Sequence, residues 1–189
     1  MPVLNPEAGP VLRGGGLMIF PLPPASFRLL LEDGAAFGRA RGMHVPGGMW
    51  DGDTRAALEA LCRKAEGLSR RQMEKGRWRW YAVWLILQGN CAVGSACFLG
   101  PPCAAGWVEL GYRLEGAFRG KGYMTTAAGL LTAWAMEQPG VRAVRAQTAR
   151  ENAASCRVLE KCGFRVIRVL PAEGGEEWVW EYGGVPPVL

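Results

Sequence analysis

Short apolar runs bounded by Gly- and Pro-containing turns recur along the chain, and helical spacing of apolar residues occurs in only a few places. Such runs are typical of buried strands, whereas apolar positions three and four residues apart predict amphipathic helices. Seven strands are predicted in this way. They are Leu17–Leu22, Tyr81–Leu87, Cys91–Leu99, Trp107–Leu114, Val141–Thr148, Phe164–Leu170 and Trp178–Tyr182.

About four helices are predicted between these strands from their start and stop signals. In chain order they are Ala25–Leu31 after Pro24, a helix from Asp53 or Thr54 that continues or restarts as far as Lys75, a helix from Tyr123 to about Glu137, and a short helix capped by Asn152 and stopped at Gly163. The order predicts an antiparallel meander followed by one right-handed β-α-β crossover, and so an α+β fold.

The first 16 residues contain three prolines and a glycine triplet and show no periodicity. We therefore predict a flexible tail over residues 1–16 and one folded domain over residues 17–189. A length of 189 residues, 49% of them hydrophobic and 21% charged, suits one globular domain.

The net charge of +5 is well short of that of a dedicated nucleic-acid binder. Residues 63–79 carry seven Lys and Arg against two Glu, which equals the whole excess. This basic segment could steer an acidic substrate or an RNA-rich particle, or it could be a solvated helix face.

Six cysteines are present, but no two have the C-x-x-C spacing, and the only histidine is His44. This pattern predicts buried free thiols and no metal site. No apolar run approaches the length of a membrane span, and no signal peptide is recognisable, so we expect a cytoplasmic protein.

The segment Arg119–Met124, with the sequence RGKGYM, carries the first chemical signal. It joins a predicted strand to a predicted helix, so backbone N–H groups and the helix N-terminus can meet an anion there. Gly120 and Gly122 allow close approach to the backbone, and Arg119 and Lys121 add positive charge. An ordinary helix start with two surface cations is the alternative.

A second signal lies in Asn152, Ser155 and the pair Gly163–Phe164, which follow the next predicted strand. Together with the glycine loop, these residues resemble the GNAT superfamily of acyl-CoA-dependent N-acetyltransferases, in particular the branch that includes the bacterial ribosomal-protein N-terminal acetyltransferases. The loop departs from the family pattern at Met124, where Gly or Ala is usual. The resemblance implies a mixed, mostly antiparallel, splayed sheet of seven strands with about four helices.

The same resemblance implies acetyl-CoA as co-substrate and direct attack of an amine on its thioester. The residues that it assigns to the co-substrate are Tyr112 and Leu114 through their backbone, the loop residues Arg119, Gly120, Lys121, Gly122, Tyr123 and Met124, and Asn152. The acceptor amine stays open between a small molecule and a protein N-terminus or lysine. A catalytically silent acyl-CoA-binding sensor or interaction module is the alternative function, and a homodimer also stays open.

Glu109 is the expected base, because some family members keep a catalytic glutamate at this position. Strand alternation places it on the face opposite Val108 and Leu110. Ser155 is the expected acid, since Leu159 stands where many relatives have a tyrosine and Ser155 lies one turn earlier on the same helix face. A structural glutamate and a serine that only completes the helix start are the alternatives.

His44 and Trp50 are weaker candidates for the acceptor side. Both lie in a Gly- and Pro-containing stretch that the family often places over the acceptor. An exposed loop histidine and a packed tryptophan explain them equally well.

Overall fold

The structure, a computed structural model, describes residues 9–183 and contains eight strands and six α-helices in these residues. The strands are β1 Leu12–Gly14, β2 Leu17–Pro21, β3 Val83–Gln88, β4 Cys91–Phe98, β5 Trp107–Leu114, β6 Ala143–Ala149, β7 Arg165–Ala172 and β8 Gly175–Gly183. The helices are α1 Pro24–Glu32, α2 Gly34–Arg41, α3 Gly52–Glu66, α4 Arg70–Glu74, α5 Tyr123–Met136 and α6 Ala153–Lys161. Two short 3₁₀ helices cover Arg77–Tyr81 and Gly116–Phe118.

All eight strands form one sheet with the order β1-β2-β3-β4-β5-β6-β8-β7. Every neighbouring pair is antiparallel except β5 and β6, which are parallel and joined through α5. The predicted meander, crossover and α+β class are therefore confirmed.

The counts of seven strands and about four helices are corrected to eight and six. The additional strand β1 lies in the part predicted as a tail and pairs with β2 over three residues. Its sequence Leu-Arg-Gly is too short for a periodic signal. Residues 1–8 of the predicted tail lie outside the described residues.

Helix α2 is not among the predicted helices, and its sequence GAAFGRAR has two glycines and little apolar periodicity. It forms because Asp33 caps it, with the Asp33 Oδ1 atom accepting a 2.8 Å hydrogen bond from the Ala36 N–H. The second predicted helix is divided into α3 and α4, and Asp51 caps α3 in place of Asp53 or Thr54.

Two hydrophobic cores lie on opposite faces of the sheet. The first packs α5 and α6 against the strands, and its fully buried members include Trp84, Phe98, Leu131 and Leu159. The second packs α1, α2 and α3 against β2, β3 and β4 around Phe27. The first core includes Val108 and Leu110 of β5, whereas the second core contains no β5 residue, so β5 is covered by helices on one face only.

The six cysteines are all free thiols, as predicted. Cys62, Cys97 and Cys156 are buried, whereas Cys103 is exposed. Residues 9–183 contain no group of three or more His, Cys, Asp or Glu placed to hold a metal ion. Within the same range, no helix has both the length and the apolar character needed to cross a membrane.

Candidate active site

A fork in the sheet is the central feature of the site. Strand β5 pairs with β6 over only three residues, Trp107–Glu109 against Ala143–Arg145. Beyond that point β5 stays with β4 as far as Leu114, and β6 stays with β8 as far as Ala149. The carboxyl-terminal parts of the two parallel strands therefore separate, and a gap opens between them.

Glu109 occupies the last paired position before the strands separate. Its neighbours Val108 and Leu110 are buried in the first core, so Glu109 faces the opposite side of the sheet, as predicted. Desolvation by burial raises the pKa of the Glu109 carboxyl above its usual range, and the negative charge of Glu177 raises it further. A carboxylate with a raised pKa is a stronger proton acceptor than an ordinary glutamate.

Arg145 is the cation that faces Glu109 across the strand pair, but it is already engaged. Its Nε atom donates a 2.7 Å hydrogen bond to Glu181 Oε2, and its guanidinium carbon lies 4.7 Å from the ring centroid of Trp107. Arg145 and the amide of Gln147 lower the pKa of Glu109, yet desolvation and Glu177 outweigh them. Glu109 therefore retains basic character.

The first turn of α6 carries Ser155 on the other side of the fork. The Asn152 Oδ1 atom accepts a 3.1 Å hydrogen bond from the Ser155 N–H, which confirms Asn152 as the N-cap. Leu159 is fully buried in the first core. Ser155 is the residue with a hydroxyl group on this turn.

Tyr112 connects the two sides of the fork through its side chain. Its hydroxyl donates a 3.4 Å hydrogen bond to the carbonyl oxygen of Ser155. Burial raises the pKa of the Tyr112 phenol, so it stays protonated and can act as a donor. From the sequence, only the backbone of Tyr112 was assigned to the co-substrate. The alternation of side chains along β5 places the Tyr112 side chain on the same face as Val108 and Leu110, and this pattern could have indicated its position.

The glycine loop has the geometry that an anion requires. Gly120 and Gly122 have φ angles of +76° and +77°, and a Cβ atom added to either residue would meet nothing within 4 Å. Gly122 is the N-cap of α5 and offers no side chain to cover the free N–H groups of the first turn. Met124 is 5% exposed and packs in the first core, which explains why a large residue is tolerated at this loop position.

The two cations of this loop are exposed. Lys121 Nζ lies 5.4 Å from the ring centroid of Phe118, and Arg119 Nε donates a 3.5 Å hydrogen bond to the carbonyl oxygen of Leu114. Open space over two glycines, free helix N–H groups and two cations together fit a pyrophosphate. The loop follows β5, the strand that carries Glu109, after the 3₁₀ helix Gly116–Phe118.

Trp50 lies on the face of the sheet that carries Glu109. Its indole Nε1 donates a 2.9 Å hydrogen bond to the hydroxyl of Ser95, which pairs with Arg113 on β5. Arg113 and Glu109 are four residues apart on one strand face, about 13 Å at 3.3 Å per residue. Trp50 therefore lies on the same face of the sheet as Glu109 but at some distance from it.

Asp51 joins the loop that carries Trp50 to β5 through an ion pair with Arg113. Hydrogen bonds from Thr54 and from Arg113 lower the pKa of Asp51 from 3.8 to about 2. This ion pair was not predicted from the sequence. Asp51 and Arg113 are 62 positions apart, so no local sequence pattern indicates their contact.

His44 is not brought together with Glu109. Its backbone is fixed at the start of β4 by hydrogen bonds with Asn90 and Ala92 of 2.7 and 2.8 Å. His44 bridges to Cys91 at the start of β4, whereas the residue that bonds to the backbone of Glu109 is Leu99, just beyond the end of β4. Cys91 and Leu99 are eight residues apart, which is about 26 Å along an extended strand. The structure therefore does not bring His44, an acceptor-side candidate, together with Glu109.

Cys97 lies in the face that carries Glu109, opposite Gly111. Burial raises the pKa of its thiol to about 12, so it is a neutral thiol near pH 7. Cys97 is not a thiolate nucleophile in this environment.

Comparison with known proteins agrees with this geometry. The family described as "Acetyltransferase (GNAT) domain" matches residues 29–165. An "Uncharacterized N-acetyltransferase YjdG" from Bacillus subtilis (strain 168) is 33% identical over 101 residues, which cover 52% of this chain. The match spans 58% of that relative's length.

Solved structures show the same fold at low identity. The ribosomal L7/L12 alpha-N-protein acetyltransferase RimL, in an apo crystal form, aligns with a TM-score of 0.61 and 16% identity over 97% of this chain and 99% of its own. The microcin C7 self immunity acetyltransferase MccE, in complex with acetyl-CoA and AMP, aligns with a TM-score of 0.58 and 18% identity over 90% of this chain and 93% of its own. The splayed sheet is thus shared with acetyltransferases.

Proposed function

Because this chain belongs to the GNAT acetyltransferase family, we propose that it transfers an acetyl group from acetyl-CoA to a primary amine by direct attack. The observation that carries the proposal is the fork, which places a desolvated carboxylate at the point where β5 and β6 separate. The glycine loop follows this strand along the chain and fits the pyrophosphate of the co-substrate.

The co-substrate would be held at two places. The N–H groups of Gly122, Tyr123 and Met124, together with Arg119 and Lys121, would bind its pyrophosphate. The backbone of β5 from Tyr112 to Leu114, which has left β6, would pair with the pantetheine arm in the manner of an added strand. Asn152 borders the far end of this gap as the cap of α6.

Glu109 would accept a proton from the substrate ammonium through a water molecule, which frees the nitrogen lone pair. The nitrogen then bonds to the thioester carbonyl carbon, and backbone N–H groups of β5 stabilise the oxyanion. When the C–S bond breaks, the electron pair leaves with sulfur, and the Ser155 hydroxyl supplies a proton to the thiolate. The nitrogen, which carries a positive charge after the attack, releases its second proton to solvent, and Ser155 regains a proton from solvent. The products are an N-acetylated amine, free CoA and the proton that Glu109 accepted.

The acceptor is inferred to be positively charged before it reacts. Glu109 and Glu177 bring two carboxylates to the open face, and mutual repulsion raises the pKa of Glu109. An ammonium group relieves this repulsion. Both a small-molecule amine and a protein N-terminus or lysine meet this requirement.

A catalytically silent acyl-CoA-binding sensor is the second candidate. Leu159, which stands where many GNAT enzymes have a tyrosine acid, is fully buried and cannot donate a proton. The proposed enzyme therefore depends on Ser155 or on the neighbouring Tyr112 hydroxyl for this step.

A thiol-release assay separates the two candidates. Acetyl-CoA is incubated with the full chain and a panel of amines, amino acids and peptides with free N-termini or lysines, and free CoA is measured. We expect release above the amine-free rate for at least one class, with mass spectrometry showing one added acetyl group on the acceptor. A chain that binds acetyl-CoA by calorimetry but releases no CoA with any amine would support the sensor instead.

A further inference from the structure

A cavity of about 690 Å³ lies at the end of α5 opposite the glycine loop. Four cations line it, namely Arg71, Lys75, Arg77 and Arg79, together with the indoles of Trp80 and Trp134. No acidic side chain is among its lining residues. Because α5 has 14 residues and is about 21 Å long, the cavity is separate from the proposed acetyl-CoA site.

The positive charge of this cavity is not neutralised by its own segment. The two glutamates of residues 63–79 are engaged elsewhere: Glu66 pairs with Arg28 at 2.6 Å and Glu74 pairs with Arg70 at 2.9 Å. Within residues 9–183, none of the four lining cations forms an ion pair. The cavity therefore concentrates four positive charges on one concave surface.

The carboxyl end of α5 accounts for only part of this charge. Gln138 and Pro139 place that helix end in the cavity wall, and a helix C-terminus carries about half a unit of negative charge. The four positive charges of the lining cations are much larger than this negative charge.

The aromatic side of the cavity is held rigidly. Trp80 is half-buried, and its ring centroid lies 5.1 Å from that of Trp134 and 5.2 Å from that of Phe98. A fixed indole beside several cations suits a ligand that combines a flat ring with phosphate groups. An acidic peptide would use the cations but has no general need for the indole.

We propose that this cavity binds nucleotide phosphate, either as a free nucleotide or as part of an RNA strand. The volume lies within the range of about 300–1,000 Å³ that small-ligand pockets occupy, which is more than a single inorganic anion needs. The cations would contact phosphate oxygens, and Trp80 would contact the base. This site is independent of acetyl transfer and uses none of the residues at the fork.

Binding is tested by equilibrium titration of the full chain with three fluorescently labelled probes: ADP, a short single-stranded RNA and a glutamate-rich peptide of the same charge as the RNA. We expect ADP, the RNA or both to bind, with affinity that falls as salt rises. Binding of ADP assigns the site to free nucleotides, and binding of the RNA alone assigns it to an RNA strand. Equal or tighter binding of the peptide, or no binding of either nucleotide probe, would overturn the proposal.

A pair of matched double variants locates the site. Arg71→Gln with Arg77→Gln removes two charges from the cavity wall, and Arg63→Gln with Lys64→Gln removes two from the exposed side of α3. We expect the first pair to weaken binding at least tenfold and the second by twofold or less. Equal losses would show a diffuse charge effect and no cavity site.

Competition separates this site from the glycine loop, since acetyl-CoA itself contains a nucleotide. Saturating acetyl-CoA should leave the bound probe in place. Displacement of the probe by acetyl-CoA would show that both occupy one site, and the proposed second site would be wrong.

Discussion

Strands β2–β4 and strands β6–β8 belong to one sheet, but they are buried to different degrees. Almost every residue of β2, β3 and β4 is buried, because α5 covers one face and α1–α3 cover the other. None of the core residues packed against α1–α3 comes from β6, β7 or β8. The open face of the second group therefore begins at the fork, and Glu109 lies on the boundary between the two parts.

This contrast explains why the fork can be both rigid and accessible. The buried group holds β5 in place, so Glu109 and the glycine loop have fixed positions relative to each other. The open group leaves the other wall of the gap exposed to solvent, where an acceptor can enter. At this boundary, strands β2–β4 fix the positions of the site residues, and strands β6–β8 leave the site open to solvent.

The largest expected effect tests the contrast in burial itself. Ile86 in β3 is fully buried, whereas Ile167 in β7 is 40% exposed. Both residues are isoleucines in strands, so the two replacements by alanine remove the same side-chain atoms. We expect Ile86→Ala to lower the free energy of unfolding by about 2–5 kcal/mol and Ile167→Ala by about 0.5 kcal/mol. Urea denaturation measures both, and similar losses would refute the difference between the two groups.

The second expected effect concerns the α6 side of the fork. Ser155→Ala should lower kcat by about 10- to 1,000-fold because general acid catalysis of this size is typical and a thiolate is already a good leaving group. Raising the pH should not restore the rate.

Tyr112→Phe removes the contact with the Ser155 carbonyl, and we expect a loss of kcat of about tenfold or less if that hydrogen bond only positions the first turn of α6. A larger loss in Tyr112→Phe than in Ser155→Ala would transfer the role of acid to Tyr112. Ser26→Ala, on α1, serves as the control.

The third expected effect concerns the β5 side of the fork. Glu109→Gln should lower kcat/KM by about 10- to 100-fold near neutral pH, and high pH should partly restore it because the amine then arrives deprotonated. Acetyl-CoA affinity should change little. Full activity of this variant at neutral pH would assign a structural role to Glu109.

The pH profile of the unmodified chain refines this test. Glu109 accepts a proton only when ionised, so activity should fall as the pH drops through its raised pKa. Glu177→Gln removes a repulsive charge, lowers the pKa of Glu109 and should move this fall to lower pH. Glu173→Gln, in the exposed turn after β7, should leave the profile unchanged.

The smallest expected effect concerns the glycine loop. Gly122→Ala should weaken acetyl-CoA binding by about tenfold, because its Cβ enters the space that an anion would use. Gly174→Ala is the matched control, with a φ angle of +87° and the same open surroundings. Both variants carry similar backbone strain, about 1–2 kcal/mol. Only Gly122→Ala should reduce the rise in melting temperature caused by acetyl-CoA. If acetyl-CoA raised the melting temperatures of the two variants equally, the glycine loop would not be part of the acetyl-CoA site.

Elements whose ends have local sequence signals were predicted better than elements without such signals. Trp107–Leu114 was predicted with its correct ends, because a turn with two prolines precedes it and a glycine loop follows it. Asn152 was predicted as a cap for a similar local reason. Helix α2 and strand β1 were not predicted, because tertiary contacts and a single capping bond stabilise them against weak local preferences.

The site was predictable only where its chemistry is local. The glycine loop is six consecutive residues, so the open backbone at Gly120 and Gly122 could be predicted from their spacing, and its role in binding acetyl-CoA stays a prediction. The hydrogen bonds from Trp50 to Ser95 and from Tyr112 to Ser155 join residues more than forty positions apart. The number of residue pairs between β5 and β6 likewise depends on packing, so the exact position of the fork could not be derived from the pattern of apolar residues.

Strand β7 has a consequence for self-association. It forms one outer edge of the sheet and exposes Val166, Ile167 and Val169, a composition that favours addition of a strand from another molecule. Arg165 and Arg168 place charge among these residues, and Pro171 removes one backbone donor from the strand. The opposite edge, β1, is only three residues long. Both margins of the sheet are thereby poor templates for aggregation, although the open half is covered by few helices.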